Sequence, residues 1–321
     1  MSRSVAVPFQ AGDLRLAGTL QLPEAEAVRH PWVLLLPSFG PRDRDGGFDR
    51  DGHPGWFADR TDGDRGLLAR LAGALAEVGV ASFRYDPRGC GASEGSWEAS
   101  DLFSRIDDAR DAVAAMRSHG GLDLRRSGVV AHGEGALLGI SLTIGDPVLS
   151  AMTLIGAPAR SVRDVMRRGA AERARTGTDC RHPFVAALDG ALEELVERAR
   201  RHEADMPLVI AGRRHTIGLA AWRQAFDTPG LALGSMLHRS VTLVHGDDDA
   251  WVDPEESELL ASVLRAGGND PGLRRMPGCG HDLAEASGAD LLSIAGDLAD
   301  RLVPHELPPV LLAIEGEPPT G

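Results

Sequence analysis

Residues 128–136 read Gly-Val-Val-Ala-His-Gly-Glu-Gly-Ala, and their order decides the fold class. A short apolar run, Gly128–Ala131, gives way to small residues and then to the helical stretch Gly135–Ile144. An extended segment that turns so quickly into a helix is part of a strand–helix alternation. Such alternation builds a parallel sheet covered by helices.

The pattern extends in both directions. Trp32–Pro37 is a continuous apolar run, as expected of a strand buried on both faces, and Pro37-Ser38-Phe39-Gly40-Pro41 breaks it sharply. Leu67, Leu68, Leu71, Leu75 and Val78 share one helical face, and Gly79 ends that helix. Val80–Tyr85 is a further strand, closed by Asp86-Pro87, and Asp101–Ser118 is an amphipathic helix. Downstream, Met152–Ile155, Val241–His245 and Leu273–Met276 read as strands, with helices at Glu255–Ala266 and Asp290–Leu302. Val5–Phe9 and Leu14–Leu20 alternate around Gly12-Asp13 and predict an N-terminal hairpin.

Residues 159–237 interrupt the alternation. They are arginine-rich and helix-like, with a strand signal only at Leu208–Ala211. The predicted organisation is therefore an α/β core over 1–158 and 238–303, a helical cap inserted at 159–237, and an extended, proline-bearing tail at 304–321.

Composition narrows the chemistry. All 34 basic residues are arginine, set against 47 Asp plus Glu, for a net charge of −13. Without lysine there is no Schiff base and no P-loop, which removes pyridoxal-phosphate enzymes, imine-forming aldolases and Walker-type nucleotide binding. The acidic balance argues against a nucleic-acid footprint. Apolar runs are far shorter than a membrane helix needs, and Met1–Phe9 has no charged head followed by an apolar stretch, so the expectation is a cytoplasmic protein with no membrane association. Cys90, Cys180 and Cys279 are too widely spaced for a disulfide framework or a zinc site. Asp43, Asp45, Asp49 and Asp51 lack calcium-loop spacing, and neighbouring arginines can neutralise them. No cofactor and no metal is expected.

In an open parallel sheet the ligand lies beyond the carboxyl ends of the strands. Four stretches fall there: Asp86-Pro87-Arg88-Gly89-Cys90-Gly91-Ala92-Ser93, then Ala131-His132-Gly133-Glu134-Gly135-Ala136, His245-Gly246-Asp247-Asp248-Asp249, and Gly278-Cys279-Gly280-His281-Asp282. With Tyr85 ahead of the first, they resemble the strand loop, nucleophile elbow, acid loop and histidine loop of the α/β-hydrolase superfamily, in that family's order. Gly40-Pro41-Arg42-Asp43-Arg44-Asp45-Gly46 is similar to a loop of its bacterial esterase and dienelactone-hydrolase-like subgroup. The resemblance covers about residues 14–158 and 240–300. It implies His281 as general base, Asp249 as the acid that orients it (Asp247 being the nearest rival), and an oxyanion hole from the backbone N–H groups of Phe39 and Glu134. It places Ser38, Gly40 and Trp251 at the substrate.

The chain departs from the pattern at one position. Where the elbow carries serine, this sequence has Gly133. Glycine suits the strained backbone of such a turn, but it supplies no Oγ for an acyl-enzyme. Three readings follow. The first is an enzyme that uses a His281–Asp249 dyad as general base without a covalent intermediate, on a small carbonyl, ester, thioester or lactone compound, by activating a water for hydrolysis or by a lyase- or cyclase-type proton transfer. The second is a non-catalytic ligand-binding descendant. The third is a serine esterase or thioesterase whose elbow serine has been changed to glycine. Glu134 and the thiols Cys90 and Cys279 are the weaker nucleophile candidates, and Asp86 and Arg88 are expected to tie their loop to the elbow.

Overall fold

The computed structural model describes residues 2–24, 27, 29–49, 52–53, 66–176 and 183–304. The expected tail beyond Pro304, residues 50–51 and 54–65 of the polar loop with Asp51, and Cys180 lie outside the described residues.

Eight strands form the central sheet. They are β1 (Arg3–Ala6), β4 (Gly18–Leu22), β5 (His30–Leu36), β6 (Ala81–Tyr85), β7 (Leu122–His132), β8 (Leu149–Ile155), β11 (Ser240–Gly246) and β12 (Gly272–Met276). Their spatial order is β1-β4-β6-β5-β7-β8-β11-β12. From β6 to β12 every pairing is parallel; β4 runs antiparallel to β6, and β1 antiparallel to β4.

The alternation of side chains along the inner strands explains both layers. Leu34 and Leu36 of β5, Val129 and Ala131 of β7 face the side covered by α2 (Leu102–Arg117) and α3 (Gly135–Gly145). Val33 and Leu35, Val130 and Val244 face the other side, covered by α1 (Leu67–Glu77) and α9 (Gly288–Arg301). Asp101 caps α2 and Ser287 caps α9, each through a reciprocal capping box. This is the α/β-hydrolase fold, with helix α8 (Glu255–Ala266) following β11.

Two sequence expectations change. The N-terminal hairpin is two pairings rather than one: β1 with β4, and β2 (Phe9–Ala11) with β3 (Leu14–Leu16). Pro8 lies between β1 and β2 and has no N–H to donate, so one continuous ladder is interrupted there. Residues 159–237 are also not wholly helical. Helices α4 (Val162–Thr176), α5 (Pro183–Arg200), α6 (Arg223–Asp227) and α7 (Gly230–Gly234) accompany a hairpin of β9 (Asp205–Ile210) and β10 (Arg213–Gly218). In β9 the buried residues Met206, Leu208 and Ile210 alternate with exposed ones, a period-two pattern hidden by the proline at 207 and by the polar partner strand. They join Leu195, Trp222, Trp97 and Phe184 in a separate apolar cluster.

Candidate active site

The elbow is built as the sequence requires. β7 ends at His132, Gly133 has φ +54°, and α3 starts two residues later. The Gly133 N–H donates to Ile155 O at 2.8 Å, which holds the turn against β8. Gly135 is fixed in identity by crowding, because a Cβ there would lie 2.3 Å from Pro37 O.

Glu134 turns its side chain away from the turn. Its two carboxylate oxygens accept from Arg105 of α2, each at 3.0 Å, and both partners are buried. A carboxylate committed to a bidentate pair is not a nucleophile. Among the described residues nothing accepts a hydrogen bond from the Glu134 N–H.

Two loops meet beyond β11 and β12. A Cβ on Gly246 would lie 2.2 Å from Cys279 O, so only glycine lets the acid loop and the histidine loop touch. That contact brings His281 Nδ1 to 2.7 Å from Asp249 Oδ2. Asp249 Oδ1 accepts from the N–H groups of Trp251 and Val252, at 2.8 and 2.9 Å. Its Oδ2 also lies 3.2 Å from His245 Nε2, and Ser257 Oγ meets the other nitrogen of that ring. Asp247, the rival acid, instead pairs with Arg275 at 2.7 Å on the surface.

Burial opposes the charge on Asp249. The His281 ring beside it and the hydrogen bonds from His245, His281 and Val252 outweigh that cost, and its carboxyl is held well below the usual range. Burial likewise pushes His281 down, but the facing Asp249 carboxylate overrides it and holds the imidazole above its ordinary value. With Nδ1–H committed to Asp249, Nε2 is the nitrogen that faces the site. There it meets Ser38 Oγ at 3.2 Å.

Ser38 was expected at the substrate, but not in contact with His281. It follows β5 and is buried. A Cβ added to Gly133 would lie 2.0 Å from Ser38 Oγ, 2.8 Å from Ser38 Cβ and 2.9 Å from His281 Nε2. The serine hydroxyl thus occupies the place a side chain at 133 would need. The next residue anchors this loop: the Phe39 ring is 4.4 Å from Trp222 and 5.9 Å from Trp97. Gly40 follows with φ +104°, and half-exposed Trp251 lies on the acid loop.

Several supporting residues carry no motif of their own. His132 is fully buried, its Nε2–H donates to His281 O at 3.0 Å, and burial pushes it down to about 3, so it is neutral. Arg42 links Gly46 O at 2.6 Å to Asp282 at 3.2 Å, bracing the loop after β5 against the histidine loop. Gly156 has φ +57°, and a Cβ there would press on His281 and Asp249 at 3.1 and 3.3 Å. A glycine directly after a strand was the only sequence signal for it. Asp86 and Arg88 were expected to tie their loop to the elbow, but their partners lie elsewhere. Asp86 is chelated by Arg44 and by the Ala92 N–H, while Arg88 pairs with Asp108 of α2.

Among the described residues one grouping of potential metal donors occurs, Asp49, His53 and Cys90. Both His53 nitrogens are engaged, with Glu98 at 2.8 Å and Gly89 O at 2.9 Å, and burial pushes the Cys90 thiol up, away from a thiolate. Asp43 folds back on its own loop, accepting from the N–H groups of Asp45 and Gly47, and Asp45 pairs with Arg84. Cys279 is buried and its thiol is likewise pushed up by burial.

The serine aminopeptidase (S33) family model matches residues 63–286. The chain belongs to this family. No curated protein matches it in sequence. Solved structures resemble it closely in fold and distantly in sequence. The esterase Est1E of Butyrivibrio proteoclasticus, solved with ferulic acid, is 16% identical, with a TM-score of 0.61 over 92% of this chain and 97% of that one. The α/β hydrolase GrgF of Penicillium sp. sh18 is 17% identical, with a TM-score of 0.61 over 93% and 98%. An esterase of Pyrococcus furiosus is 15% identical, with a TM-score of 0.61 over 94% and 91%. The family's name rests on a serine, and this chain's elbow has none. Among the described residues, no helix is long and apolar enough to cross a membrane.

Proposed function

We propose that the chain is a hydrolase of small carbonyl compounds, an ester, thioester or lactone, in which His281 oriented by Asp249 is the general base. The observation that carries this reading is the aligned pair itself: Nδ1 is held at 2.7 Å by a buried carboxylate that accepts two backbone N–H bonds and has the His245 ring 3.2 Å away, which leaves Nε2 pointed at the elbow. A base in that setting takes a proton from the oxygen that attacks the carbonyl and returns it to the leaving group. The N–H groups of Phe39 and Glu134 are the proposed donors to the oxyanion that develops. Ser38, Gly40 and Trp251 border the substrate. The insertion at 159–237 acts as a cap, and its apolar cluster reaches the loop after β5 through Phe39.

A pocket kept only for binding would not need a buried carboxylate aimed at one imidazole nitrogen. Burying Asp249 is costly, and the contacts that offset the cost also fix its carboxylate on one nitrogen of His281. Turnover of a panel of p-nitrophenyl esters, thioesters and lactones tests the reading. Multiple turnovers of at least one class are expected. Stoichiometric binding of all three classes with no product would contradict it and favour the ligand-binding alternative.

A further inference from the structure

We infer that the nucleophile of this chain is Ser38, moved from the elbow to the loop after β5 and facing the same histidine. The inference rests on the general-base reading of His281 and adds the group on which that base acts.

Three observations converge. Ser38 Oγ is 3.2 Å from His281 Nε2, the nitrogen left over once Nδ1 has bonded Asp249. The hydroxyl lies 2.0 Å from where a Cβ on residue 133 would be, so it occupies the space of an elbow side chain while hanging from a different strand. Gly133 is what makes this possible, since any Cβ there would collide with both Ser38 Oγ and Ser38 Cβ. The missing side chain at 133 and the hydroxyl at 38 are two halves of one arrangement. A Ser–His–Asp constellation is defined by geometry and role, and chain position is secondary.

The chemistry closes on these groups. Ser38 Oγ passes its proton to His281 Nε2 as it bonds to the acyl carbon. The oxyanion then collapses, the bond to the leaving oxygen breaks, and that oxygen takes the proton from Nε2. Water repeats the sequence on the acyl-serine and restores the Ser38 hydroxyl. Phe39 follows Ser38 in the chain just as Glu134 follows Gly133, so a donor N–H is next in sequence on each side of the reacting oxygen. Contacts of the Phe39 ring with Trp97 and Trp222 hold the loop in place for attack.

The test is labelling of the intact chain with a fluorophosphonate, followed by peptide mapping, alongside hydrolysis of p-nitrophenyl acetate. One adduct is expected, on Ser38, with fluoride lost from phosphorus. Ser38→Ala should abolish it and lower hydrolysis on the order of 10⁴-fold. His281→Ala should suppress both signals as well. A second variant guards against misfolding: Ser38→Gly combined with Gly133→Ser returns the hydroxyl to the elbow, and the adduct should move to position 133. No adduct on the unaltered chain, or an adduct elsewhere, would overturn the inference. If Ser38→Ala hydrolyses as fast as the parent while His281→Ala does not, the nucleophile assignment fails and the general-base reading stands. If both variants keep the parental rate, the general-base reading fails.

Discussion

At the scale of single residues, the site turns on a protonation state. In the proposed reaction neutral His281 is the active form; the facing Asp249 carboxylate stabilises the charged form and holds the imidazole above its ordinary value of 6.5. The hydrolytic rate should therefore fall as pH drops through a midpoint above 6.5, read from a plot of kcat/KM against pH. The stability contribution has the opposite slope: it is fully present below the unfolded histidine's value and is lost as pH rises through the raised folded value. Asp249→Asn removes both effects. It should lower kcat on the order of 10⁴-fold, because an amide can present its N–H to Nδ1 and leave the proton on Nε2. That loss is checked by steady-state kinetics at a pH above the midpoint.

At the scale of elements, the elbow is held from below by a contact between helices. Arg105 of α2 and Glu134 at the start of α3 form a buried bidentate pair. Arg105→Met would leave the Glu134 carboxylate buried without its partner, at a cost of about 3–5 kcal/mol. Urea unfolding should show the midpoint falling by that equivalent, and hydrolysis should weaken because the Glu134 N–H loses its anchor. Gly246 is the matching point between the acid and histidine loops. Gly246→Ala forces apart backbones that would meet the new Cβ at 2.2 and 2.6 Å. Far lower hydrolysis and a large drop in melting temperature are the expected readouts, since no flexible side chain is there to yield.

Legibility in the sequence followed the range of the cause. Parallel strands and covering helices were readable because their signals are local: Trp32–Leu36 is continuously apolar, and Leu67, Leu71 and Leu75 share a face. So was the elbow, whose small residues announce a tight turn. The contact of Ser38 with His281 was not readable, because it depends on the space left by Gly133, far away in sequence. His245 and Gly156 were missed for the same reason. Their contacts with Asp249 and His281 exist only once β8, β11 and the histidine loop lie side by side. Of the β9–β10 hairpin only the end of β9 gave a strand signal, because its exposed positions carry Pro207 and Val209 and its partner strand is charged.

At the scale of the whole molecule, the net charge of −13 divides unevenly. Residues 159–237 hold 13 arginines against 10 carboxylates, so the acidic surplus belongs to the core. Most described arginines of the insertion pair within it or with α8: Arg163 with Asp227, Arg173 with Asp189, Arg168 with Glu255. The firmest tether is Glu256, a buried carboxylate on α8 that accepts from the N–H groups of Ala159 and Arg160 at 3.0 and 2.8 Å and pairs with the Arg160 guanidinium. Glu256 also neighbours Ser257, which bonds His245, so the insertion and the acid loop share a support. Glu256→Ala should speed amide hydrogen exchange at the start of the insertion while β5 and β7 keep their protection.

The measurement that bears most directly on this site is the hydrolysis rate of His281→Ala beside the unaltered chain, on the best p-nitrophenyl ester of the panel, with both proteins shown by circular dichroism to be folded. A loss on the order of 10⁴-fold is expected, because the proton of the attacking oxygen then has nowhere to go. An unchanged rate in a folded variant would contradict the general-base role of His281 and, with it, the assignment of the site.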